Sequence, residues 1–496
     1  MKTTIRVFLA LVFIAIVGIL SFIIYRSYNY LEADQYRAEN VIPPDALFVI
    51  KSKRTNDITN DNDLLSLLLP PENRNKIKSL LKGMEQPGNQ KLMNHSSFYL
   101  SVHSENEKEI LLVFETLKEH NKLLISFQKD IQEKYLKKEF DYKNQTIRLF
   151  VINEDQFYMW DLQGLLLFAS SESLMRSVIN QFTENKILSS TMDFSFHAKN
   201  LNTHLSIYIQ YQYFLPYLQK NIRQAGGDQN IAILLEPYRW SVFDVEMKNK
   251  CILLSGYTQL NNNSQYARLF SHSNNSMNFL KMLPADANRI FSFAAENSGE
   301  MNSIKSIFNY SEDVFSLMYS DRVITFEIRQ DSNTFTYLVL HSENIDEASF
   351  HLYNTLESSF KDNHYLLDTF FIGSSMVGHS SLSNFLLTKF GINQQLPYLT
   401  YYTLDDNYIV FSNNREGICH YINDMRSNNI FTKSLTYKSI QPLSFEKANM
   451  FYYVDLDSLP KENNSLYFNN LKALQFATYM QSDSVFLTNI VFQLCK

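Results

Sequence analysis

Glycine is scarce in this chain, with 12 in 496 residues, where average usage is roughly 7%. Phosphate-cradling loops need several glycines at fixed spacing, and neither G-x-G-x-x-G nor G-x-x-x-x-G-K-S/T occurs. Nucleotide binding by those routes is therefore not expected. Cysteine is scarcer still. Cys251, Cys419 and Cys495 make no C-x-x-C and no Cys/His cluster, which argues against a zinc or redox site. Their odd number leaves no complete disulfide framework, so three part-buried thiols are expected, with one pair left open. None of the 11 His forms H-E-x-x-H. Charge of one sign is also lacking: the net charge is −6, without long acidic or basic blocks. A nucleic-acid binder would show a basic face.

What the chain does have is apolar and aromatic bulk. Apolar residues make up 45% and charged residues 19%, a globular composition, and the length allows two or three domains. The 38 Phe and 30 Tyr favour sheets, where aromatic side chains pack well. One run is membrane-like. Between Arg6 and Arg26 lie 19 uncharged residues, and a helix of that length spans roughly 28 Å, close to the hydrocarbon core. The following "YRSYNYLEADQY" is bulky and suits cleavage poorly. No Cys follows the run to take a lipid, and Lys2 and Arg6 on the short side favour an N-in orientation. The expectation is an uncleaved anchor over 1–28.

Beyond the anchor the sequence reads twice. Ile42-Pro43-Pro44-Asp45-Ala46 matches Leu283-Pro284-Ala285-Asp286-Ala287. Each Pro ends what precedes it, and the Asp turns the chain into a strand. Strand-like "SFYLSV" and "EILLVFE" answer "RVITFEI" and "TFTYLVL", each pair followed by a helical pattern: Leu123, Phe127, Ile131 in one case and Phe350, Tyr353, Leu356 in the other. "FYMWDLQGLLLFASSESLMRSVINQF" then parallels "LTYYTLDDNYIVFSNNREGICHYINDM": strand, turn with Asp, strand, polar cap, helix. "LSIYIQYQYFLPYL" matches "NMFYYVDLDSLP", and each half closes on a hairpin, 239–260 and 475–494. The spacing predicts two copies of an α+β module over 40–265 and 280–496, with antiparallel sheets and helices on one face. Whether the copies share one sheet or form two globules stays open.

Candidate chemistry is sparse. Ser79-Leu80-Leu81-Lys82 fits S-x-x-K, but K-T-G is absent and an amphipathic helix explains it. "GSSMVGHSS" (373–381) lacks the G-x-S-x-G spacing and reads as a loop. "HSEN" occurs at 103–106 and 341–344, at different points of the two copies, and reads as coincidence. Asp161 recurs as Asp405 or Asp406, where turn geometry accounts for it. The candidates kept as ligand or partner contacts are three. Trp240 heads a strand and could stack on a sugar or lipid, although a core anchor is the plainer reading. Asp455 and Asp457, two apart, would face the same side of a strand. No catalytic, metal or cofactor residues are assigned, and no cofactor is expected.

The anchor, the Pro-x-Asp-Ala strand opening ("VIPPDALFVI") and the large exported region with weak internal repetition resemble a domain-of-unknown-function family of membrane-anchored bacterial envelope proteins. That resemblance implies an inner-membrane protein with a cytoplasmic N-terminus and residues after about 28 in the periplasm; it brings no catalytic residues. The expected role is non-enzymatic, a binding or scaffold surface for an envelope protein partner, with neither nucleic acid nor nucleotide. The alternatives are an envelope hydrolase or glycan-acting enzyme, and a carrier of lipid or another apolar ligand. A catalyst would show a pocket with convergent titratable groups, a carrier a long apolar cavity, and a scaffold an exposed apolar patch.

Overall fold

The computed structural model describes residues 36–53, 62–84, 92–93, 96–103, 109–116, 120–184, 186, 204–224, 235–248, 250–261, 275–294, 322–330, 333–341, 344–347, 349–350, 368–379, 401–458, 471–482 and 485–495. The first half runs β1 (Ala46–Ser52), α1 (Asn62–Leu68), α2 (Pro71–Met84), β2 (Ser96–His103), β3 (Glu109–Thr116), α3 (Asn121–Tyr135), β4 (Leu136–Tyr142), β5 (Gln145–Ile152), β6 (Asp155–Leu162), β7 (Leu165–Ala169), α4 (Glu172–Thr183), β8 (Leu205–Gln210), α5 (Tyr211–Gln224), β9 (Tyr238–Lys248) and β10 (Cys251–Leu260). The second half opens on β11 (Asn275–Ser276) and a 3-10 turn (Met277–Met282). It continues with β12 (Arg289–Ala294), β13 (Arg322–Gln330), β14 (Asn333–His341), β15 (Asp368–Ile372), β16 (Ser375–His379), β17 (Tyr401–Asp405), β18 (Tyr408–Ser412), α6 (Arg415–Ser427), α7 (Leu435–Ile440), β19 (Lys447–Ala448), β20 (Met450–Asp455), β21 (Leu471–Ser482) and β22 (Val485–Leu494).

Among the described residues every strand pairing is antiparallel. In the first half the strands lie in the order β4-β5-β6-β7-β3-β2-β1-β8-β9-β10. In the second half the order is β15-β16-β17-β18-β14-β13-β12-β20-β21-β22, the same succession. The last strand of each half then pairs with the other, β10 with β22, from Cys251↔Gln493 to Gln259↔Val485. Ser255↔Asn489 is the middle pair of this seam, so the halves meet about a local twofold centre.

This corrects the expected α+β class, with its transmembrane helix and two tandem sheet-plus-helix modules. The body is mostly antiparallel strand, joined into one 20-stranded sheet. The physical reason lies in the closing hairpins. Each would leave a long edge of unpaired backbone groups, and the two edges satisfy one another. The anchor expected over 1–28 lies outside the described residues, and no described helix is long and apolar enough to cross a membrane. The predicted helix through Tyr353 and Leu356 also lies outside them.

Helices cover both faces of the sheet, so central strands are buried on two sides and read as continuous apolar runs, such as Leu165–Ala169. In β1, Phe48 and Ile50 point into one core while Val49 points into another. The first core receives Leu64 of α1, Ile77 and Leu80 of α2, and Phe127 and Ile131 of α3, and it runs across the seam. There Tyr238 meets the Phe476 and Phe486 rings at 6.1 and 6.4 Å. On the opposite face α4 packs Leu174, Met175 and Val178 onto the first half, and α6 packs Ile418, Tyr421 and Ile422 onto the second. Each helix starts where a polar cap meets an apolar stripe. The Ser171 hydroxyl accepts the Leu174 N–H and the Asn414 side-chain Oδ1 accepts the Gly417 N–H.

Candidate functional site

The two halves differ most beneath α4 and α6. Trp160 sits in the third pair from the β6–β7 turn, opposite Leu167, and Thr403 sits in the third pair from the β17–β18 turn, opposite Val410. Phe182 and Met425 each lie eleven residues past their helix N-cap, Ser171 or Asn414. In the first half, Trp160 and Phe182 fill the gap between helix and sheet, edge to face at 5.5 Å. The indole N–H donates to Gln145 Oε1 at 3.1 Å, and Tyr36 closes the outside against Phe182 at 5.1 Å. In the second half the places of Trp160, Phe182 and Gln145 hold Thr403, Met425 and Ser375, the last of these next to the β15–β16 turn as Gln145 is next to the β4–β5 turn, and a cavity of about 390 Å³ opens there. One half is plugged where the other is hollow.

The cavity has an apolar floor from Met282, Ile422 and Met425, with Lys281, Asp405 and Arg426 supplying charge. Tyr421, seven residues past its cap where α4 carries Val178, donates its hydroxyl to Asp405 Oδ2 at 3.2 Å. Burial pushes the Asp405 carboxyl above the usual carboxylate range, with the Tyr421 hydrogen bond working against the shift and Asp406 adding to it. Burial and then the Asp405 charge push the Tyr421 phenol far up, so it stays a donor. Arg426 fastens the β15–β16 turn to the helix, donating to the Ile372 carbonyl and to the Ser374 and Ser375 hydroxyls. That turn needs glycine. Gly373 has φ +56°, and a Cβ there would meet the Arg426 guanidinium at 2.1 Å.

Beside the cavity, α6 meets the second Pro-x-Asp-Ala opening. The turn itself is the same in both halves, with Ala46 N–H donating to Pro43 and Ala287 N–H to Pro284. Its aspartate takes a histidine in both halves, but not an equivalent one. Asp45 Oδ1 lies 3.2 Å from Nδ1 of buried His103, whose Nε2 is 3.0 Å from the Ser101 hydroxyl. Asp286 Oδ2 lies 2.9 Å from Nε2 of His420, on α6, and Asp424 Oδ2 faces the same nitrogen at 3.3 Å. The Asp286 hydrogen bond raises the His420 pKa, partial burial opposing it. For Asp45, burial raises the carboxyl, but the His103 hydrogen bond and charge outweigh it and the net shift is downward.

The residues singled out from the sequence are not brought together. Trp240, on β9, is 9% exposed and belongs to the apolar core of the α4 face of the sheet. Asp455 ends β20, and Asp457 lies in the 3-10 turn after it, its N–H donating to Asp455 Oδ1 at 3.1 Å. They are therefore a capped turn and not two carboxylates on one strand face; burial raises the Asp455 pKa. Ser79, on α2, donates to the Ile152 carbonyl, and "GSSMVGH" is the β15–β16 turn followed by strand β16, not the expected loop. The three cysteines are free thiols. Sequence reasoning missed the cavity. Asp405 was visible only as a turn residue, and the signal was the loss of two aromatics between otherwise parallel segments.

No known protein family matches the chain, and no curated protein does. Among solved structures it is similar to TP0453 in crystal form I at 11% identity and TM-score 0.27, covering 60% of this chain and 92% of that one. Form III gives 12%, 0.25, 58% and 92%, and form IV gives 11%, 0.23, 45% and 79%. Likenesses at TM-scores this low carry no argument about what this chain does.

Proposed function

We propose that this is a membrane-anchored binding protein of the bacterial envelope. Residues 1–28 hold it in the inner membrane with the N-terminus inside, the first half is structural, and the second half binds. One observation carries the binding role: the Trp160–Phe182 plug of the first half is replaced by a cavity of about 390 Å³ in the second, a volume within the range of small-ligand sites. The cavity suits a ligand group with both apolar and charged parts, since Met282 and Met425 line it together with Lys281, Asp405 and Arg426. The scaffold component draws on exposed Phe371, Met376 and Leu404, which lie on the neighbouring strands β15, β16 and β17 at one end of the strand order among the described residues. The hydrolase alternative draws on the raised Asp405 carboxyl, but Tyr421 already occupies that carboxyl, so the binding reading is favoured.

The test uses the intact protein crosslinked mildly in its native membrane. Everything retained is identified by mass spectrometry and compared with Thr403→Trp, which restores the plug. The expected result is a protein, lipid or glycan held by the native chain and lost from the variant. An identical retained set from both would sink the pocket as the binding site.

A further inference from the structure

We propose that Asp286, Gln330, His420 and Asp424 form a binding site for a divalent transition-metal ion, zinc foremost. The donors come from three separate elements and converge on one point. His420 Nε2 lies 2.9 Å from Asp286 Oδ2 and 3.3 Å from Asp424 Oδ2, and the three ligand atoms all lie within 4.8 Å of one another. Zinc–ligand bonds of about 2.0–2.2 Å put neighbouring tetrahedral ligands roughly 3.3–3.5 Å apart. The two separations from His420 Nε2 need only small side-chain adjustments to reach that spacing. The Gln330 amide is the fourth group, 3.3 Å from His420 Nε2 and 3.4 Å from Asp286 Oδ2. Turned over, it would present its oxygen at the same place.

A second observation points to a cation. Asp424 Oδ1 is fixed by the Asn429 side chain at 3.1 Å, while Oδ2, the oxygen aimed at His420, is buried and receives no hydrogen bond. Leaving a buried carboxylate oxygen without a donor is costly, and a metal ion between Oδ2 and Nε2 would remove that cost. The frame is also stiff. His420 and Asp424 share one face of α6 at i, i+4. Asp286 is held by the Ala287–Pro284 turn, and Ala285 N–H is tied to the Asn429 carbonyl. The donor set belongs to the second half alone: at the matching places on α4, six and ten residues past the cap, stand Ser177 and Gln181, bonded to each other. The mixed imidazole and carboxylate donors fit zinc or manganese and not a soft thiophilic ion. The site shares α6 with the cavity, whose wall includes Tyr421 and Met425, so an occupied site would stiffen that wall.

The experiment takes the full chain in detergent, stripped with a chelator, and titrates it with zinc chloride by calorimetry. Cobalt(II) absorption reports the geometry. One ion per chain is expected, with affinity falling at least about tenfold in Asp286→Asn and in Asp424→Asn. Both substitutions keep side-chain shape, and Asp286 is exposed, so unchanged melting of the metal-free variants shows that they fold. Tetrahedral cobalt bands lost in the same variants would support the assignment. No saturable binding below about 1 mM, or equal binding by the native chain and both variants, would overturn it, leaving the contacts of His420 with Asp286 and Asp424 as the whole content of the cluster.

Discussion

Plugging the cavity and unplugging its counterpart should have unequal consequences. Trp160 is 1% exposed, and replacing it with Ala removes the indole, its edge-to-face contact with Phe182 and the hydrogen bond to Gln145. Trp-to-Ala changes in such sites cost about 3–5 kcal/mol, a large share of the ~5–15 kcal/mol by which domains are stable. Thr403→Trp loses one hydrogen bond, the Thr403 hydroxyl to the Met376 carbonyl at 2.9 Å, for about 1 kcal/mol. It gains burial of an aromatic side chain against Ile422 and Met425. At about 25 cal/mol per Å² of apolar surface removed from water, part of an indole offsets that loss. The expected net change is within about 1 kcal/mol of zero. Thermal melting of the intact chain in detergent, followed by tryptophan fluorescence, reads both variants. A Thr403→Trp that melts as early as Trp160→Ala would show that the space cannot admit a side chain, because overpacking a filled core costs about 1–3 kcal/mol or more. The pocket argument would then fail.

Two further outcomes are expected. Asp45→Asn removes the carboxylate paired with His103. The folded Asp45 pKa lies below its ordinary 3.8, so its contribution is complete above that value and fades as pH falls through the folded pKa. The variant should melt lower than the native chain at pH 6, by about 1 kcal/mol of stability, and the gap should narrow as pH falls below 3.8; a gap constant with pH would refute the pairing. At Gly256 on β10 a Cβ would meet the Val242 carbonyl oxygen at 1.9 Å and the Phe243 Cα at 2.9 Å, both backbone. Gly256→Ala should therefore push β9 from β10, cost about 1–3 kcal/mol and speed amide exchange around the seam. Gly83→Ala on α2, which meets only the Ile152 side chain, should be far milder, and equal effects would contradict the close-approach argument.

Much of the strand pattern was legible because apolar runs and polar caps are local properties. The β2–β3, β6–β7 and β9–β10 hairpins and their second-half counterparts fall where the sequence alternation placed them. The β4–β5 and β5–β6 turns escaped notice for a chemical reason. Their left-handed positions are Lys143-Asn144 and Asn153-Glu154, not the Asn-Gly or Asp-Gly that marks a type I′ hairpin. A chain poor in glycine hides its tightest turns. The seam was out of reach, because strand composition does not name a pairing partner more than two hundred residues away. The Asp286–His420–Asp424 cluster was hidden similarly: Asp286 and His420 are 134 residues apart, and the turn that carries Asp286 and the helix that carries His420 were legible only as separate elements. Trp240 reads as a possible contact because nothing local distinguishes an exposed aromatic from one buried in a cluster built from distant strands.

The β10–β22 seam also bears on how the two faces of this molecule can change. Two identical chains meeting about a twofold centre like that of Ser255 and Asn489 would inherit every substitution twice. Such a pair would carry both plugs or neither. With both halves in one polypeptide, each position is free to vary alone. The Trp160 side can keep the rigidity of a filled core while the Thr403 side gives up packing for a cavity. The stability lost on one side is shared through a common sheet, so the hollow half leans on the solid one.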